Sequence, residues 1–306
     1  MSASNRCAVG IDLGGTNIFG GLVDGTGRVL ATTKRPTPVA EGPQGIFSAM
    51  RAMIRELLPH AGGREVVGIG LGIPGLLDRA AGKSVFSPNL NWANVPITTE
   101  FAEFGLPVDF DNDVRVHANG EMLFGAGKGL SNFILITLGT GIGSGIVLGG
   151  EIYRGPKGIA GEIGHITLNP GGAKCGCGKR GCFEAEASGK NIGRRAKEAG
   201  IAGTSRELFE KAAAGDAAAI DLIDKVTYDL ARGIVTYATL MNPERVIVGG
   251  GVAMAGDLLF GPLQKHVDED SMPGVRGSFD IVPAVFGDEA GIVGAAALIP
   301  ALTKED

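Results

Sequence analysis

Four side chains in the middle of the chain could together hold a metal ion. His165 is followed by Cys175, Cys177 and Cys182, so three of the four cysteines fall within eight residues, with glycines between and around them. One imidazole and three thiols make a Cys3His set, which suits tetrahedral Zn2+ in a closed structural site. A lone histidine is usually just a satisfied core or surface residue. Clustered thiols change that balance, and in a reducing compartment they are better read as metal ligands than as disulfides. With every coordination position taken, such an ion would clamp the loop and would not act as a Lewis acid. His165 could bind through one ring nitrogen and present the other to a hydroxyl. Glu162 and Glu184 flank the set closely enough to be fixed by the same clamp.

A second chemistry is carried by glycine turns. Asp12 precedes Leu13, Gly14, Gly15, Thr16 and Asn17. Such a turn can aim backbone N–H groups at an anion, while the carboxylate just before it can hold a hydrated Mg2+. An ordinary hairpin turn would look similar. The pattern returns at Gly139-Thr140-Gly141, however, and two such turns could clasp a polyphosphate. Gly249-Gly250-Gly251, after the apolar run RVIV, is a third place where backbone could lie flat against a ligand. Competing nucleotide motifs fail: no G-x-x-x-x-G-K-[ST] is present, and Gly70-Leu-Gly72-Ile-Pro-Gly75 has proline inside and no acidic residue about twenty positions on. Asp111-Asn112-Asp113 supplies acid–base chemistry. One of the two carboxylates could be a helix cap, but three polar residues exceed what a cap needs. A carboxylate there could take a proton from an alcohol, and the Asn112 amide could hold neighbouring hydroxyls.

The elements that must position these groups alternate strand and helix. Strands are predicted over 7–12, then through IFGGLVD and RVLATTKRP, and at 65–75, 107–113 and 133–150. Helices are predicted at 43–59, 114–125, 188–199, 205–214, 216–241, 257–268 and 289–299. The apolar strand, glycine turn and second strand at 133–150 repeat the opening of the chain. The reading is therefore α/β, with two lobes on one plan and a mixed sheet in each. The expected division is 1–117, joined by the C-terminal helix 289–306, and 118–288 with the cysteine loop. With 306 residues, 44% hydrophobic and 20% charged, the chain can bury two cores. A net charge of −5 without a basic cluster argues against nucleic acid or anionic membrane as partner. No stretch reads as a signal peptide or a membrane span, so a cytoplasmic protein is expected.

Together these motifs resemble the ROK family of sugar kinases and repressors, within the actin-like ATPase superfamily with its ribonuclease H-like fold. The resemblance runs from GIDLGGTN through GIGLGIPG, SPNLNW, DNDVRVHANGE, LGTGIGSGI, GEIGH, CGCGKRGCFEAEASG and VIVGGG to DEAGIVGAAAL. It implies ATP and Mg2+ as cofactors, with Asp12 near the magnesium and Gly14, Gly15, Thr16 and Asn17 as the first phosphate loop. Gly139, Thr140 and Gly141 would be the second, and Gly250 and Gly251 would lie against adenosine. Asp113 would be the general base and Asn112 a sugar ligand. Glu162, His165 and Glu184 would bind the sugar's C1/C2 side, with Gly75 and Asn89 as further contacts. His165, Cys175, Cys177 and Cys182 would hold structural zinc. A homodimer is also implied.

One departure stands out: Arg115 and Val116 follow Val114 where the family carries small residues and Asn. SPNLNW and GDEAGIVGAAAL look more like members acting on glucose than on N-acetylmannosamine or N-acetylglucosamine. The rival readings are another hexose kinase, a sugar-responsive regulator, which needs a helix-turn-helix ahead of the first loop, and a non-catalytic sugar-binding protein.

Overall fold

The computed structural model describes residues 5–304. The chain divides into two compact units. The first runs to Gly129 and adds Ile152–Ala160 and the stretch from Asp288; the second comprises Leu130–Glu151 and Gly161–Gly287. The break expected at 117–118 falls inside a helix, Asp113–Phe124. The short return of 152–160 to the first unit has no signature in the sequence.

In the first unit, β1 (Arg6–Leu13), β2 (Asn17–Asp24) and β3 (Val29–Pro36) form an antiparallel meander. Next, α1 (Gly42–Leu57) buries Ile46, Phe47, Met50, Met53, Ile54 and Leu57, the stripe that its i, i+4 spacing predicts. β4 (Glu65–Ile73) lies parallel to β1. A small antiparallel sheet follows, made of β5 (Leu76–Asp78), β6 (Lys83–Ser87) and β7 (Trp92–Pro96). Sequence patterning missed it because its strands are three to five residues long. Trp92 from β7 packs on Phe47, ring centroids 5.2 Å apart, and anchors that sheet to the core. β8 (Val108–Asn112) adds parallel to β4 and leads directly into α2 (Asp113–Phe124). The large sheet reads β3-β2-β1-β4-β8. Its register puts Asp12, Gly72 and Asp111 in one row at the carboxyl ends of the three parallel strands, where open α/β sheets bind ligands.

The second unit repeats the plan. β9 (Phe133–Leu138) and β10 (Ile142–Leu148) form the hairpin and β11 (Glu151–Ile152) the edge. The short α3 (Phe183–Ala187) is followed by α4 (Gly189–Glu198), α5 (Ser205–Ala213) and α6 (Ala217–Met241). Asp216 caps α6, and Asn242 closes it in the left-handed region at φ 44° before Pro243. β12 (Arg245–Gly249), α7 (Asp257–Asp270) and β13 (Asp280–Pro283) complete the sheet β11-β10-β9-β12-β13, the same order as the first, with β9 antiparallel to β10 and parallel to β12, and β12 parallel to β13.

α8 (Ala290–Ala296) returns to the first unit and packs on β1, β4 and α2. The contact is backbone to backbone: a Cβ on Gly10 or Gly70 would run into the Ile292 or Ala295 carbonyl. Glycine is required there by the closeness of the helix, not by its dihedrals.

Candidate active site and metal centre

In the first unit three consecutive polar residues have three separate employments. Asp111, 1% exposed, is paired with Arg154 at 2.7 Å and lies 3.6 Å from Arg115. Asn112 is the N-cap of α2, its side-chain oxygen accepting from the N–H groups of Val114 (3.0 Å) and Arg115 (3.3 Å). That bond satisfies donors the helix cannot satisfy itself, and it leaves the Asn112 amide N–H groups for other partners. Asp113 is neither the cap nor the ion-pair member, so its carboxylate is the one of the three spent on neither. Burial, and then the nearby Asp12 carboxylate, raise its pKa to about 6. A base poised near the working pH is what proton abstraction from an alcohol needs.

Asp12 sits beside it. The backbone of Gly72 lies between the two: a Cβ there would be 3.4 Å from Asp12 Oδ1 and 3.6 Å from Asp113 Cα. Gly291 of α8 closes the other side of Asp12. His117, one turn after Asp113, places Nε2 3.9 Å from Asp12 Oδ2. Burial disfavours the His117 cation, but Asp12, then Asp113 and Glu121, outweigh it and raise the imidazole above its ordinary value. Sequence reasoning missed His117; its i+4 spacing from Asp113 was the available signal.

The turn Gly14–Asn17 is closed by Gly14 N–H donating to Asn17 O at 2.9 Å. Thr37 pins it from outside, its N–H on Thr16 O at 2.9 Å and its hydroxyl on Gly14 O at 2.7 Å. Gly15 borders Asn89, whose Cβ would be 3.4 Å from a Cβ on the glycine. Gly75 has φ 107° and lies against the backbone of Phe86 and Ser87, so any side chain would be strained and blocked. The departure at Arg115 has a clear occupant: its buried guanidinium donates to Gly158 O (2.8 Å) and Ala160 O (3.0 Å). Asn119 is also engaged, donating to Gly294 O of α8 at 3.3 Å.

In the second unit, one ligand atom from each of His165, Cys175, Cys177 and Cys182 lies within 4.8 Å of the others. Cys177 and Cys182 sulfurs are 3.6 Å apart, and Cys175 Sγ is 3.6 Å from His165 Nδ1. Tetrahedral Zn2+ with bonds of about 2.0–2.3 Å sets ligand atoms roughly 3.5–3.8 Å apart, so both the donor set and its spacing fit zinc. Burial, then the adjoining thiols of Cys177 and Cys175, push the Cys182 thiol up to about 12. A divalent cation is what turns packed thiols into thiolates. Because Nδ1 faces the sulfurs, Nε2 of His165 is the nitrogen left for another partner. Glu162 stands at the start of a one-turn 3-10 helix (Ile163–His165), and its carbonyl accepts from His165 N–H at 3.1 Å.

Glu184 links this loop to the glycine turn. It stands in the first turn of α3, two residues after Cys182, lies 3.9 Å from Cys175 Sγ, and accepts from Ile142 N–H at 3.1 Å. A Cβ on Gly141 would collide with its carboxylate. The turn itself closes with Gly139 N–H on Gly141 O at 3.0 Å, leaving Thr140 exposed. Gly250, φ 85°, lies flat on Leu138, where a Cβ would come within 2.6 Å of its carbonyl; Gly251 has open space around it.

Two sheets of identical strand order, each opening on a hairpin with a glycine turn, define the actin-like ATPase fold. The ROK family model matches residues 8–301, and the chain belongs to the ROK family. A glucokinase of Thermotoga maritima is 39% identical over 95% of this chain and 96% of its own length. A ROK family glucokinase from Streptomyces griseus, solved with glucose and AMPPNP, is 35% identical with a TM-score of 0.82, covering 96% of this chain and 99% of that one. The xylose repressor of Bacillus subtilis is 28% identical over 95% of this chain but only 76% of its own length.

Proposed function

We propose that this chain transfers the γ-phosphoryl group of ATP to the 6-hydroxyl of glucose. The observation that carries the reading is Asp113. Asn112 takes the cap and Asp111 the ion pair, so Asp113 is left as a carboxylate with a pKa near 6 at the head of a helix. In this reading Asp113 accepts the hydroxyl proton as the oxygen attacks the phosphorus, and positioned backbone N–H groups stabilise charge on the transferring group. Gly14, Gly15, Thr16 and Asn17, together with Gly139, Thr140 and Gly141, are assigned to the phosphates, and Gly250 and Gly251 to adenosine. Asn112, Glu162, His165 and Glu184 are assigned to sugar hydroxyls, with Gly75 and Asn89 as further contacts.

Magnesium, for which Asp12 supplies the single carboxylate such a substrate-bridging ion needs, would neutralise phosphate charge. Zinc on His165, Cys175, Cys177 and Cys182 would hold His165 and Glu184 in place. A cytoplasmic homodimer working in sugar catabolism completes the proposal; the two proteins named glucokinase, each spanning nearly this whole chain, support the choice of sugar. The test is ADP release with glucose, mannose, fructose, N-acetylmannosamine and N-acetylglucosamine as acceptors. Glucose should give the highest kcat/KM; a higher value for an N-acetylated sugar would overturn the choice of substrate, and no ADP release with any of them would overturn the kinase.

A further inference from the structure

Within the first unit a cavity of about 370 Å3 carries Arg79, Arg115, Arg154 and Lys157 on its wall against Asp78 and Asp111. None of the residues assigned above to ATP, metal or sugar lines it. The local charge balance is positive in a chain whose net charge is −5, so the pairings matter. Arg79 is matched: its Nη2 donates to both Asp109 oxygens at 2.6 Å. Arg115 and Arg154, in contrast, share one carboxylate. Asp111 takes Arg154 Nε at 2.7 Å and lies 3.6 Å from Arg115 Nη1.

The donors can be followed further. Arg115 spends Nη2 on the Gly158 and Ala160 carbonyls. Arg154 spends Nη1 on Ile152 O at 3.2 Å, and its Nη2 has no partner among the described residues. Lys157, exposed on the turn that closes the cavity, makes no hydrogen bond or ion pair among the described residues. Arg115, Arg154 and Lys157 face the two carboxylates of Asp111 and Asp78, which leaves a net positive charge, and the free donors are Arg154 Nη2 and Lys157 Nζ. A guanidinium with a free N–H edge matches the oxygens of phosphate or carboxylate. Two cationic groups with unspent donors suit the three acceptor oxygens of a phosphate monoester better than the two of a carboxylate.

We propose that this cavity binds a phosphate-bearing small molecule, with Arg154 Nη2 and Lys157 Nζ as donors. The inference does not depend on the kinase reading. Such a ligand would bridge the 152–160 segment to β8 through Arg154, whose other donor is already on Asp111. The cavity has room beyond the phosphate group for an organic portion.

The test is calorimetric titration of the full chain with inorganic phosphate and, separately, with glucose 6-phosphate. Saturating AMPPNP is present throughout, so that the nucleotide site is filled. Saturable phosphate binding is expected, weakened at least about tenfold by Arg154→Gln and by Lys157→Gln, each of which removes a charge-assisted bond. Lys265→Gln, on the surface of α7, should bind as the parent does. Lys157 is exposed, so its variant keeps the fold even if Arg154→Gln loosens the segment. Tighter binding of the sugar ester, lost in the same variants, identifies an ester as the ligand; equal binding identifies free phosphate. No saturation by about 10 mM, unchanged affinity in both variants, or binding that appears only without AMPPNP would overturn the site.

Discussion

The two glycine turns occupy equivalent places in sheets of the same order, yet they are held in different ways. Gly14–Asn17 is held from within its own meander, by the amide and hydroxyl of Thr37, the residue after β3. Gly139–Gly141 is held by segments far along the chain: Gly189 N–H on Gly139 O at 2.8 Å, and Glu184 on Ile142. Glu184 in turn stands beside Cys175 and two residues from Cys182. Repetition preserved the scaffold and left the supports free to diverge. Damage to the cysteine loop should therefore reach one turn and spare the other.

The sharpest break removes chemistry from one half and leaves both turns intact. Asp113→Asn should lower kcat by about 10²–10⁴ with the KM for ATP unchanged in steady-state kinetics. The same carboxyl sets a pH limb. Because its pKa is raised to about 6, the base form is present above that value, and kcat/KM for the sugar should fall as pH drops through it. Smaller in effect, Cys177→Ser should release zinc and cost roughly 10–100-fold in kcat/KM, with metal content by elemental analysis reporting the loss. Full zinc content in that variant would refute the ligand set. Gly141→Ala drives a Cβ into Glu184 and should raise the KM for ATP about tenfold by overpacking, whereas Gly261→Ala, on the exposed side of α7 with open space around it and assigned to no ligand, should leave it unchanged. Mildest is Thr37→Val, which removes one hydroxyl bond worth about 1 kcal/mol, or roughly fivefold in the same constant. If Thr37→Val also lowered zinc content, the two supports would not be independent.

Much of this was legible because the carriers are local. The cysteine spacing, the glycine turns and the run Asp111–Asp113 are each short enough to read within one stretch, and so were the repeated hairpins. What was hidden depends on partners distant in sequence. Nothing near Asn112 says that it, and not a neighbouring carboxylate, caps α2. Arg115 looked like a gap in the family pattern, and only the carbonyls of Gly158 and Ala160 show what its guanidinium does. The small sheet β5–β7 escaped because strands of three to five residues carry too little alternation to register.

The placement of α8 also bears on the order in which the chain becomes folded during synthesis. The first unit's β1 to β4 are made before the second unit begins, but the backbone that covers Gly10 and Gly70 comes only after it, at 290–296. Every element of the second unit has been synthesised by then. The half made first is thus the half finished last, and until α8 arrives one face of β1 and β4 stands bare, the kind of surface that chaperones engage on nascent chains.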